Sequence, residues 1–454
     1  MSWITETAAL YDEIKEKVND SDEWEPILPL YHSTSNAQIQ VTIFSDGTFS
    51  HAEVVDADDA KTIIPVTEDS SSRSSGIAPH PLCDKLIYIS GDYSTYVAKA
   101  KSNADEYFVT YIKALKAWAE SEYSDICITA IYDYLSKRML INDLIGDGIL
   151  KLKDAVLDEE YKITKSAKQI DSFVRFVVND LDSGENIKVW KSKVLFDKYI
   201  AYYESLGKKR DCQLCYASGK IVPVTYKHMA RIRNSGDSAK LISSNDESNF
   251  TYRGRFANRE EAFAVGEIVS QKAHLALRWL IKTGGISVGD EKYVAWESRL
   301  NEIPNVFGRI VLDESENSGS FVKDKDDKVY AKTAEQYKNI IEMAIKGYKK
   351  NLNLNSSKVI LMALDSATPG RLSIIMYQEL TSTDFYKNIQ DWYSEVYWHS
   401  CYKTDDGEVI HCVQTPTPIE IARCAYGNER DGDLIIDYKS GIFKTVIKQI
   451  YPCI

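Results

Sequence analysis

The stretch KVILMALDSATPGRLSIIMYQEL, residues 358–380, limits the fold most. Two apolar runs flank Pro369-Gly370, a pair suited to a tight turn. Both runs are apolar at successive positions, as a central pair of strands buried on both faces would be. The next segment, 384–397, sets Phe385, Ile389, Trp392 and Tyr393 at helical spacing for packing. Strand, strand, helix with buried strands points to an α+β domain of ferredoxin-like type.

The rest of the chain mixes the same two periods. Ile4, Ala8, Tyr11, Ile14 and Val18 predict a one-sided helix over 3–19. Ile39, Val41 and Ile43 alternate ahead of Asp46-Gly47, so 38–55 reads as a β-hairpin. Residues 104–145 read as two or three helices. Residues 168–200 read as short strands and then a helix, with DSFVRFVV the best strand. The clearest helix opens at Asn258 with Glu261 completing a capping box, and ends at Gly284-Gly285. Gln271, His274, Arg278 and Lys282 fall near its polar face. Residues 313–328 are charged and read as a loop. The expected class is α+β: a mixed multi-domain fold of antiparallel sheet elements and helices. We expect three regions, 1–160, 161–330 and 331–454, in a chain of 454 residues.

Charge and targeting signals narrow the function classes. The formal net charge is -12, which argues against an even basic coat but permits a local basic groove. No run reaches the roughly 18–20 apolar residues of a membrane span. The amphipathic, acid-bearing start does not read as a secretory signal, and eight scattered cysteines suit reduced thiols. A cytoplasmic protein is expected. One segment departs from the acidic background. Residues 201–240 hold Lys208, Lys209, Arg210, Lys220, Lys227, Arg231, Arg233 and Lys240 against Glu204, Asp211 and Asp237. This is the best candidate for a surface facing nucleic acid, although a solvated face has the same composition.

A search for catalytic chemistry returns little. There is no Gly-Lys-Ser/Thr phosphate loop, no dinucleotide glycine turn, no His-Glu-x-x-His and no Gly-x-Ser-x-Gly elbow. Cys212-x-x-Cys215, with His228 as a third donor and Cys401, Cys412 or Cys424 distant, is the one metal-like spacing. Cysteines packed as small hydrophobes explain it as well. His399 and His411 flank a cysteine-bearing loop, His32 reads as structural, and Asp56, Asp58 and Asp59 as a solvated run. No cofactor is expected.

Residues 65–81, which include SSSRSSGIAPHP at 70–81, read as a long exposed loop by composition. Gly76 permits close backbone approach, and Pro79 and Pro81 stiffen the chain around His80. An ordered loop with no ligand has the same composition.

Five stretches carry a resemblance: ILPLYHSTSNAQIQVTIFSDGTF, TIIPVTEDSSSRSSGIAPHPLCDKLIYISGDY, CYASGKIVPVTYKH, GDSAKLISSNDESNFTYRGRF and SQKAHLALRWLI. Together they look like the large subunit of the type I-C CRISPR surveillance complex, in order from about residue 3 to the end. VILMALDSATPGRLSIIMY is similar to that family's strand pair. The resemblance implies a non-catalytic subunit of a crRNA-guided complex. It would recognise the motif beside the target in double-stranded DNA, aid strand opening and stabilise the displaced strand. Implied partners are the backbone and crRNA-5′-end-binding subunits, a small subunit and a separate helicase-nuclease. The family's helical C-terminal region, similar to the small subunit, would begin about where VIKQIYPCI stands.

Placed on these residues, motif sensing falls to Ser72, Arg73, Ser74, Ser75 and Gly76. A second candidate is 245–255: Asn245 and Asn249 for base edges, Phe250 and Tyr252 to stack or wedge, Arg253 and Arg255 for phosphates. A buried turn suits Phe250 equally. Lys208, Lys209, Arg210, Lys227, Arg231 and Arg233 would add diffuse, salt-sensitive affinity. Two other classes stay open: a metal-supported nucleic-acid-processing enzyme on Cys212, Cys215 and His228, and a purely architectural subunit.

Overall fold

The computed structural model describes residues 2–18, 26–71, 73, 76–98, 100, 102–165, 167–207, 212–234, 237–242, 256, 263–304, 322–323, 329–349, 357–368, 370–403, 407, 409–430, 433–437 and 441–450. The fold is mixed α+β with several sheets. It has two compact units, each discontinuous in sequence: residues 28–229 with 243–271, and residues 1–27 with 230–242 and 272–454.

The 28–229 unit is built on a four-stranded sheet in the order Phe49–Val54, Ile39–Phe44, Val174–Asn179, Asn186–Lys188. The expected 38–55 hairpin is present, with Gly47 at φ 76° in its turn and Asp46 Oδ1 accepting from Thr48 N at 2.9 Å. Ile39–Phe44 runs parallel to Val174–Asn179, which requires a long crossover. The helices Ala104–Ala119, Ile126–Ser136 and Leu140–Gly146 lie in that crossover and bury Tyr111, Trp118, Ile131 and Leu144. Helix Lys193–Gly207 adds Leu195, Tyr199 and Tyr203 to the same core.

His32 is sealed in this unit. It is 1% exposed, its Nδ1 lies 2.7 Å from Leu30 O, and Phe196 and Tyr199 pack edge-on against its ring. Burial disfavours the imidazolium and lowers the pKa to about 4, against a smaller opposing effect of the Leu30 carbonyl. The unfolded chain binds this proton near pH 6.5 and the folded chain does not. The contribution of His32 is therefore intact above that pH and is lost as pH falls from 6.5 to 4, by about 3 kcal/mol in all. Denaturant unfolding at pH 7 and pH 4.5 should show this loss, and His32→Gln should flatten the dependence. An unchanged slope in the variant would contradict the assignment.

The other unit carries a sheet in the order Ile286–Val288, Glu291–Glu297, Lys358–Thr368, Arg371–Thr381, antiparallel throughout. Val359, Ile360, Leu361, Met362, Ala363 and Leu364 are all buried, as the apolar run demands. Arg371–Thr381 ends that strand order and is half-exposed: among the described residues Lys358–Thr368 is the one strand paired along it, and Lys240 bridges its first residue. Consecutive strands are neighbours here, so the order is a meander and not the crossed order of a ferredoxin-like domain. Helices Ala334–Lys349 and Ser382–Glu395 supply Ile340, Ile341, Phe385, Ile389 and Tyr393 to the core. Helix Trp3–Val18 matches the expected 3–19.

The longest predicted helix begins later than its capping signal. It runs Glu267–Gly284, after a short strand Val265–Gly266 that pairs with Ile221–Thr225. Asn258 and Glu261 lie outside the described residues. His274 is fully buried against Trp3 and not on a polar face. Apolar Ala273, Leu277 and Ile281 share the buried side, and their spacing admits a histidine without changing the pattern.

Candidate nucleic-acid interface

The 65–81 segment is not one long exposed loop: Val66 and Ser70 are buried. Glu68–Ser71 forms one helical turn, and Ser70 is buried with its Oγ accepting from Thr67 N at 2.9 Å. Beyond it, Arg73 turns inward. Its Nη1 donates to Asp84 Oδ2 at 2.7 Å and to Ala78 O at 2.9 Å, and its Nη2 donates to Asp84 Oδ1 at 2.5 Å. The guanidinium also lies 4.3 Å from the centre of the Tyr88 ring. Burial opposes this charge, and the Asp84 carboxylate more than compensates, holding the Arg73 pKa above its ordinary value.

Asp84 is the hub of the arrangement. Its side chain is fully buried and also accepts from His80 N at 2.7 Å and Lys85 N at 2.8 Å. The loop is thus tied across its width, from Arg73 and Ala78 to His80. Gly76 sits at the tip, exposed, at φ 82°, with open space where a Cβ would be. Its role within the chain is the left-handed backbone, which disfavours other residues. Ser72, Ser74 and Ser75 lie outside the described residues.

The turn that leads into the loop reaches the basic segment. Glu68 N donates to Tyr203 Oη at 3.1 Å, on the helix that precedes Lys208–Arg210. Glu68 Oε1 accepts from Thr225 Oγ1 at 2.5 Å and from Lys227 N at 3.3 Å, and Asp69 pairs with Lys227 Nζ. Beneath them a cavity of about 30 Å³ is lined by Tyr31, His32, Ser71, Glu267 and Gln271, among others. Glu68 and Asp69 thus tie the turn before the 70–81 loop to Thr225 and Lys227, 157 to 159 residues away.

Other sequence candidates are distributed differently. Lys208, Lys209, Arg210, Asn245, Asn249, Phe250, Tyr252, Arg253 and Arg255 lie outside the described residues. Arg231 and Arg233 belong to the other unit. There Arg231 is exposed at φ 61°, and Arg233 binds Asp237 at 2.7 Å and the Asp290 carbonyl at 2.9 Å. Arg233 thus closes a turn of its own chain.

The Cys212, Cys215 and His228 set does not converge. Among the described residues no three His, Cys, Asp or Glu side chains form a group able to hold a metal. Cys212 is exposed in the strand Cys212–Leu214, and Cys215, just past the end of that strand, is buried. Cys215 Sγ accepts from Gly266 N at 3.1 Å and Ser218 N at 3.3 Å. Burial works against its ionisation, yet these donors outweigh it and hold the thiol below its ordinary range. His228 Nδ1 lies 2.8 Å from Ser270 Oγ. Asp59 of the acidic run binds Arg175.

Sequence reasoning missed Glu68, Asp69 and Asp84. Glu68 and Asp69 act through partners 159 and 158 residues away, and Asp84 through Arg73 eleven residues before it, separations that no periodicity marks. Among the described residues no helix is long and apolar enough to cross a membrane. A family model described as "CRISPR-associated protein (Cas_Csd1)" matches residues 9–454. No curated protein matches the chain.

Proposed function

The chain belongs to the Cas_Csd1 family of CRISPR-associated proteins, and from that premise we propose that it reads the motif beside a DNA target. The family match bears out the resemblance to the type I-C large subunit. In our reading the chain works as a non-catalytic DNA-binding subunit of the crRNA-guided complex. It recognises the adjacent motif in duplex DNA, aids opening and holds the displaced strand before a helicase-nuclease is recruited.

One observation carries the reading: Glu68 and Asp69 hold the 70–81 loop against Thr225 and Lys227. A stiff, glycine-tipped loop beside a cationic segment suits both tasks of such a site. The loop can enter a groove and meet base edges, while the lysines and arginines bind phosphates without regard to sequence. Arg73 serves as a positioning residue that holds the loop backbone on Asp84. Ser72, Ser74, Ser75 and Gly76 make the contacts, and residues 245–255 supply the second set, with Phe250 and Tyr252 against bases. Lys208, Lys209, Arg210 and Lys227 give salt-sensitive affinity; on the other unit the exposed Arg231 adds its own, whereas Arg233 is engaged by Asp237.

The test is reconstitution of the crRNA complex with this chain and binding of duplexes that differ only beside the target. Changing one base pair of the motif should weaken binding by about tenfold. Affinity for every duplex should fall with salt. Equal binding of motif-bearing and motif-lacking duplexes would leave an architectural role.

A further inference from the structure

In the unit that holds residues 272–454, a hairpin and a helix enclose a cavity of about 670 Å³. The hairpin is Trp398–Lys403 with Val409–Gln414, and the helix is Pro418–Tyr426. Strand pairing sets Trp398 opposite Gln414 and Ser400 opposite Cys412, so these four side chains share one face. Gln414 is buried, and its Nε2 donates to Ser400 Oγ at 2.8 Å. A side-chain amide carries a second N–H and a carbonyl oxygen besides. Trp398 stands at the mouth, 71% exposed.

The helix supplies the opposite wall. Glu420, Ile421, Cys424 and Ala425 recur at i, i+1, i+4 and i+5, which turns one side of the helix to the cavity. A capping box fixes where that side begins. Thr417 Oγ1 accepts from Glu420 N at 3.3 Å, and Glu420 Oε2 accepts from Thr417 N at 2.7 Å.

The lining selects its ligand by charge. It holds the Glu420 carboxylate and, among the described residues, no lysine or arginine. Nothing in it would neutralise a phosphate, so it disfavours nucleotides and nucleic-acid strands. An indole face, apolar walls from Pro416, Ile421 and Ala425, and a few fixed polar groups suit a planar uncharged ring. Adenine matches the amide of Gln414, which can meet its N6 and N7 at once.

We propose that this cavity binds an uncharged purine nucleoside of the adenine type. Trp398 stacks on the base, Gln414 pairs with its edge, and Ser400 holds the amide in place. The ribose lies toward the open side, where Cys401 and Cys424 are exposed. The site belongs to a different unit from the 65–81 segment, and its ligand does not depend on the motif reading.

The test is calorimetric titration of the full chain with adenosine, which should bind with a dissociation constant on the order of 100 μM. Trp398→Ala should weaken binding about tenfold, and Trp398→Phe should retain most of the affinity. Ala425→Trp should fill the cavity and remove measurable binding. Both positions are exposed, so thermal midpoints should stay at the wild-type value. Adenosine monophosphate should bind several-fold more weakly than adenosine, because its phosphate meets a carboxylate and no cation. Saturating adenosine should slow maleimide labelling of Cys401 and Cys424, and leave the exposed Cys212 of the other unit unchanged. Absence of binding at millimolar adenosine would overturn the proposal, as would equal binding by Trp398→Ala. Monophosphate or oligo-deoxyadenosine bound as tightly as adenosine would also overturn it, by making the cavity an anion site.

Discussion

Asp84→Ala should destabilise the 28–229 unit by about 4 kcal/mol and lower its thermal midpoint by roughly 10 °C. The carboxylate is fully buried and receives both arms of the Arg73 guanidinium together with two backbone N–H groups. Removing it leaves a largely buried cation and the His80 and Lys85 N–H groups without this acceptor, and such losses exceed the net worth of the pair itself. Arg73→Ala should cost a similar amount, because it strands the buried Asp84 charge. Arg73→Lys should not restore the wild type, since an ammonium cannot make the planar two-point contact. An Arg73→Met/Asp84→Leu double variant should recover part of the stability, since neither charge is then left alone. Chemical denaturation of all four proteins measures the coupling. A loss below about 0.5 kcal/mol in Asp84→Ala would refute the buried clamp.

The same series separates two roles for Arg73. As a positioning residue, it should lose motif discrimination and stability together. If Arg73→Ala relaxes the accepted motif at unchanged stability, the guanidinium reads bases directly. If discrimination survives its removal, Arg73 has no part in motif sensing. Loop rigidity is the physical link: an untied 72–80 segment would have to be ordered on every binding event.

Sequence reasoning recovered those elements whose pattern is local. The 38–55 hairpin follows from alternation and Asp46-Gly47, and the 358–381 pair from two apolar runs around Pro369-Gly370. Edge position is not local, so the half-exposure of Arg371–Thr381 was hidden in a sequence as apolar as its buried neighbour. Neither is sheet order, hence the mistaken ferredoxin-like expectation. At the candidate interface, Ser70–Gly76 and the lysines stood out by composition. The tie from Glu68 to Thr225 and Lys227 did not, because no periodicity links positions so far apart. Arg73 was visible as a cation in a serine loop. Its partner Asp84 lies eleven residues away across two prolines, a separation that no periodicity marks.

Arg175→Ala should cost about as much as Asp84→Ala, roughly 4 kcal/mol, for a different physical reason. Arg175 is 2% exposed as the second residue of the strand Val174–Asn179, within a run that otherwise reads as apolar. Its guanidinium lies 3.8 Å from the centre of the Trp190 ring and donates to Gln40 Oε1 at 3.0 Å, Asp59 O at 2.6 Å and Asp59 Oδ2 at 2.5 Å. Truncation opens a void beside Trp190 and leaves the buried Gln40 oxygen and the Asp59 carbonyl without this donor. The Asp59 carboxylate is 56% exposed, so water screens its half of the ion pair. The Arg175 hydrogen bond holds the Asp59 pKa below its ordinary value, but Asp59→Asn should still change stability by less than about 1 kcal/mol. Arg175→Met separates packing from polarity. It refills the volume without serving Gln40 or the Asp59 carbonyl, and should recover about half of the alanine loss. Urea unfolding of the three variants decides the matter. Equal losses for Asp59→Asn and Arg175→Ala would mean that the ion pair dominates. A methionine variant as weak as alanine would assign the stabilisation to the hydrogen bonds alone, and full recovery would assign it to the stack on Trp190.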